Sequence, residues 1–339
     1  MSSLLVLLAL LSVATLAARP SRFDEIVGAA ATPVLVGFGV AVGPDGLAFV
    51  EPSLVKGLQP ALSVAVCWLG LIAGLRAAAP IAHEPPDRRA LLPLLDALLA
   101  GAALYLSGLW APDPMALVVA ALIAGACLGA PASTGSDARI AKVVALLLAS
   151  AAVGLASPVR LGMLVGIGAG TALVVLLAGA QSGNVVLVAV LGAVALAAGV
   201  SGIAGAPGVL AGVTGGAILA RTRAGRALWP IAERSERPLR IVVTVLVAAS
   251  AHIDPPAALL GLGLAALALG AGALTLGPKL AARSGSLAAS SLALALIASL
   301  AAAGVSPALL APLLVAIAIV DAVALAARIA TRWRKGDAP

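Results

Sequence analysis

Residues 26–76 read "IVGAAATPVLVGFGVAVGPDGLAFVEPSLVKGLQPALSVAVCWLGLIAGLR". Two uncharged apolar runs, 26–43 and 58–75, flank a break at Gly43-Pro44-Asp45-Gly46, where proline cannot continue a helix and the glycines let the chain turn. Each run is close to the roughly 20 residues that an α-helix needs to cross the hydrocarbon of a bilayer. Such runs recur along the whole chain. Of its 339 residues, 62% are hydrophobic and 37 are glycine, while 10% are charged. That composition excludes a water-soluble fold and describes an all-α polytopic membrane protein.

Cutting the chain at charged and Pro/Gly punctuation places spans near 2–18, 26–43, 58–75, 90–109, 114–131, 140–156, 161–178, 184–200, 204–220, 239–253, 257–275, 286–303 and 306–327. About thirteen transmembrane helices leave no room for a soluble domain, so 1–339 is one membrane domain. The first run, which ends in small residues, lacks the basic start of a signal peptide and is read as a span rather than a cleaved leader.

Thirteen spans placed in this way make a checkable prediction, that Lys and Arg fall on alternate connections. Nineteen of the 21 do, the exceptions being Lys56 and Arg160. This alternation puts the N-terminus outside and the C-terminus in the cytoplasm of a cell whose inner membrane holds the chain. The largest basic connection is "RTRAGRALWPIAERSERPLR", Arg221 to Arg240, read as a cytoplasmic loop. Small residues four apart, such as Gly166 and Gly170, permit close helix approach.

Cys67 and Cys127 lie in separate apolar runs, and His83 and His252 in different loops, so no disulfide framework or metal site is expected. Aromatic residues make up 2% of the chain, too few to stack bases, and nucleic acid is not an expected partner. There is no GxSxG and no phosphate-cradling GxxxxGK. An enzyme is not expected, nor is a cofactor.

The quoted stretch, with its "GPDGL" turn (Gly43 to Leu47) and its "GLIAGL" helix end (Gly70 to Leu75), resembles the second and third helices of the cation:proton antiporter superfamily, in its bacterial potassium-efflux or sodium/proton branch. "GAPGVLAGVTGGAILART" (Gly205 to Thr222) is similar to a late helix of that family rich in small residues. "ERPLRIVVTVLVAASAHID" (Glu236 to Asp254) and the run from Gly285 to Val320 are similar to its later segments. The resemblance implies two inverted-topology repeats with broken core helices. Helices in 1–76 and 184–253 would form a scaffold that pairs two copies into a homodimer, 90–156 and 257–330 a moving core, and 161–178 a linking helix. It implies a secondary transporter that exchanges a monovalent cation for protons by alternating access.

Breaker chemistry of the implied kind occurs in "GACLGAPASTGS", where Gly125, Gly129 and Pro131 stand beside Ser133, Thr134 and Ser136. Their hydroxyls can satisfy backbone groups freed at a break; the same residues also suit a plain helix end. "RSGSLAASS" in the twelfth span is the possible repeat counterpart. The family's exchanging carboxylates should fall near Ala149 and Ser150, where this sequence has no acid, and the uncharged eleventh span lacks the expected base. A degenerate relative that does not exchange ions, acting as a membrane partner, or a carrier of another small solute, is therefore the alternative.

Acids inside spans are functional candidates. Asp96 lies seven residues past Arg89, about 10 Å into the membrane from the cytoplasm, and Asp321 lies fourteen residues after Pro307, about 9 Å from the same side. The two either form a displaced proton or cation site or pair with Arg88 or Arg89 and with Arg328. The ion-site candidates are thus Asp321, Asp96, Ser133, Thr134 and Ser150.

Overall fold

The computed structural model describes residues 24–44, 46–50, 52–78, 168, 183–203, 208–220, 222–276, 297–298 and 307–334. Among these there are seven helices and no strand: α1 (Asp24–Val42), α2 (Pro52–Ala78), α3 (Gly183–Ile203), α4 (Gly208–Leu219), α5 (Arg223–Ser250), α6 (Pro255–Leu276) and α7 (Pro307–Arg334). A helix pairs its backbone N–H and C=O groups within its own segment, which suits a chain this apolar. The stretch Gly57–Leu75 within α2 is long and apolar enough to cross a membrane. Shorter apolar stretches occupy Thr32–Val42, Leu187–Ser201, Gly208–Leu219, Pro255–Ala266 and Leu310–Val323. The spans read near 2–18, 90–109, 114–131, 140–156, 161–178 and 286–303 lie outside the described residues, apart from Gly168, Ile297 and Ala298.

The turn after α1 explains its sequence. The Leu47 N–H donates to Ala41 O at 2.7 Å and the Val50 N–H to Val42 O at 2.9 Å, so the chain folds back to satisfy carbonyls orphaned at the helix end. A Cβ on Gly46 would collide with the carbonyl of Ala41, so only glycine fits there. Val50 is fully buried and plugs the turn, while Leu47 and Phe49 point outward.

Helices α2 and α4 pack most intimately. Gly70 and Gly74 of α2, four residues apart, face Gly212 and Gly216 of α4, also four apart. A Cβ at Gly70 would stand 2.5 Å from Val209 O, one at Gly74 would strike Val213 O, and ones at Gly212 and Gly216 would strike the carbonyls of Cys67 and Leu71. Both backbones therefore touch without intervening side chains, as in glycine-mediated membrane pairs. Partner numbers rise together, so α2 and α4 run parallel.

Helix α3 runs against both. Four residues join it to α4, and a Cβ on Gly208 would lie 3.9 Å from Ser201 Cβ. Its buried stripe, Val190, Ala193, Val194, Ala197, Ala198 and Ser201, keeps helical spacing, yet its outer face is also apolar: Val188, Leu191, Leu196 and Ile203 are exposed. Helix α1 packs on α5 in the same direction, Gly39 meeting Val245, Ala248 and Ala249, and Gly43 meeting Ala249. It also packs on α7, which in turn packs on α6.

The stretch Arg221 to Arg240, expected as a loop, is mostly helix. Thr222 caps α5, its side chain accepting from the Gly225 N–H at 3.1 Å, and the helix then continues for 28 residues past Pro230 and Pro238. Glu233 with Arg237 and Glu236 with Arg240 stand four apart, a spacing that supports a helix. The tenth span, expected to begin at 239, is thus only the apolar end of a longer element.

Candidate functional site

Helix α7 sets out its candidate residue by simple periodicity. Leu310, Leu313, Leu314, Ile317 and Val320 form its inward stripe, and Asp321 continues it four residues beyond Ile317. The Asp321 side chain is 1% exposed. The α6 backbone comes close on another side of α7, since a Cβ on Gly261 would stand 2.6 Å from Val315 Cβ and 2.8 Å from Pro312 O. Arg328, a proposed partner, stands seven residues further along α7, about 10 Å of rise. A carboxylate on an otherwise apolar inward stripe is suited to taking up and releasing a proton when water or a counter-ion reaches it.

Asp96, Ser133, Thr134 and Ser150 lie outside the described residues, so the proposed meeting of Asp96 with Asp321, and of both with the break near Pro131, concerns residues beyond those described. Among the described residues no group of three His, Cys, Asp or Glu could hold a metal ion.

Other polar side chains are mostly closed on their own helices. The hydroxyls of Ser63, Thr214, Thr244 and Ser250 donate to carbonyls three or four residues earlier, at 2.7 to 3.0 Å. This is how hydroxyls are satisfied in apolar surroundings. Ser201, which is buried, has no hydrogen-bond partner for its Oγ. Its Cβ, Ser63 O and Cys67 Cβ each lie within 4 Å of where a Cβ on Gly208 would stand, and Cys67 also lines a cleft with Val190, Ala193, Val194 and Gly212.

A side-chain hydrogen bond links distant helices: Trp68 Nε1 of α2 donates to Ser235 Oγ of α5 at 2.8 Å, and Ser235 Oγ donates to Ala232 O at 2.9 Å. Sequence reasoning missed this contact because Ser235 was read into a loop. The signal that would have found it is Thr222, a helix-capping residue directly before "RAGRALW". Compared with known proteins, the chain matches no family model and no curated sequence.

Proposed function

We propose that the chain is a multi-pass inner-membrane protein of about thirteen spans, built as two inverted repeats with broken core helices. In this reading it acts as a secondary transporter of the cation:proton antiporter type, moving a monovalent cation against protons by alternating access. The observation that carries the reading is Asp321, a buried carboxylate on an apolar helix, because intramembrane acids are costly and are retained where a proton or ion must be handled.

Two features support the membrane arrangement. Helix α3 is apolar on its buried and exposed faces alike, which suits lipid and not water. Helix directions also follow the parity of the charge-derived count: the third and ninth spans, α2 and α4, run parallel, and the eighth, α3, runs against them. The second span, α1, and the apolar end of α5, the tenth, run alongside each other as two even-numbered spans should.

The alternative, a relative that keeps the scaffold without exchanging ions or that carries another small solute, is favoured by one observation: no acid stands near Ala149 and Ser150. Purified protein in liposomes holding a pH-sensitive dye, challenged in turn with Na⁺, K⁺ and Li⁺ from pH 6 to 9, separates the readings. Exchange gives a dye response to at least one cation, and silence toward all three supports the alternative.

A further inference from the structure

The Trp68 to Ser235 hydrogen bond fixes how deep the charged half of α5 lies, given the membrane arrangement proposed above. Trp68 precedes Arg76 by eight residues, so Ser235 stands about 12 Å of helix in from the cytoplasmic boundary. The other boundary gives an independent measure. Gly43, where α1 reaches its external turn, abuts Ala249, and Ser235 lies fourteen residues earlier on α5, about 21 Å below that level. On a hydrocarbon core of about 30 Å, this leaves about 9 Å to the cytoplasm. Rulers on different helices agree to within about one turn.

At this depth the molecule presents two unlike surfaces. Gly212 abuts Cys67, and α3 runs antiparallel from the Ser201 to Gly208 contact, so Leu196 stands level with Val213 and Trp68. Leu196 is 64% exposed and apolar, as a lipid-facing residue should be. On α5, at the depth of Ser235, Glu233 and Arg234 are exposed as well. Charged groups at such a depth face water or protein and not hydrocarbon. Between Arg223 and Arg240 the helix carries Arg223, Arg226, Arg234, Arg237 and Arg240 against Glu233 and Glu236. A cleft of one predominant sign with low-dielectric walls concentrates the opposite charge.

We propose that the exposed face of α5 from Arg223 to Arg240 borders a water-filled, net-basic inlet that opens to the cytoplasm, reaches at least the depth of Ser235, and admits small anions in preference to cations. The cation of the proposed exchange then takes a different path.

Accessibility of single cysteines tests this in the full chain. In a Cys67→Ala, Cys127→Ala background, Glu233→Cys, Arg234→Cys and the depth-matched Leu196→Cys are treated in inside-out membrane vesicles with membrane-impermeant methanethiosulfonate reagents carrying either a sulfonate or a quaternary ammonium. The expected result is labelling at 233 and 234 with protection at 196. The sulfonate-to-ammonium rate ratio at 233, normalised to a free thiol, should exceed one. Protection at all three positions overturns the inlet and leaves the membrane reading standing. Labelling at all three places that depth in water and overturns both. Labelling only from the external face overturns the cytoplasmic opening, and a normalised ratio at or below one overturns the anion preference.

Discussion

The indole of Trp68 donates to Ser235 Oγ at 2.8 Å, tying the middle of α2 to a helix 167 residues further along the chain. Each single change, Trp68→Phe or Ser235→Ala, should lower stability, and the double variant should lose less than the two losses combined. The shortfall expected for one such hydrogen bond is about 0.5–1.5 kcal/mol. Unfolding of the purified protein in detergent measures the coupling, and simple additivity would count against the bond.

The α2–α4 contact makes an asymmetric forecast about glycine. Gly212→Ala and Gly216→Ala push a methyl group into the backbone of α2 and should cost about 1–3 kcal/mol each, as overpacking does. Gly192→Ala and Gly199→Ala, with open space at the Cβ position, should be neutral or stabilise α3 by up to about 1 kcal/mol through helix propensity. Thermal unfolding of the four variants checks the order.

Ser201 offers a change that should help. Its buried hydroxyl lacks a hydrogen-bond partner, and an unsatisfied buried polar group costs about 1–3 kcal/mol. Ser201→Ala should therefore raise the unfolding temperature. A lower one would mean that the hydroxyl is engaged in the native protein.

Topology can be tested without transport. A reporter fused after Pro339 should report the cytoplasm, and one placed within residues 110–113 should report the exterior. Matching cytoplasmic signals would contradict the thirteen-span count.

Much of the helical order was readable because its signals are local. Gly43-Pro44 marks the end of α1, and apolar runs near 58–75 and 184–200 coincide with α2 and α3. The beginning of α5 was not readable from composition, since a stretch with seven charges and two prolines looks like a loop even when Thr222 caps it and Glu–Arg pairs four apart support it. Helix partners were illegible for a different reason. In α3 both faces are apolar, so periodicity names no inward side, and only the steric need for glycine at 70, 74, 212 and 216 reveals which backbones touch. Asp321 stood out as an acid in an apolar run. Its nearly complete burial depends on how α7 packs against α1 and α6, which the sequence does not display.

The most direct measurement compares the unaltered protein with Asp321→Asn in the same liposomes, at matched protein density, following internal pH after a cation gradient is imposed. Asparagine keeps the shape of the side chain and cannot exchange a proton near neutral pH. A pH change in the unaltered protein that disappears in Asp321→Asn is the predicted result. An equal response from both would contradict the account by showing that exchange proceeds without the one buried carboxylate among the described residues.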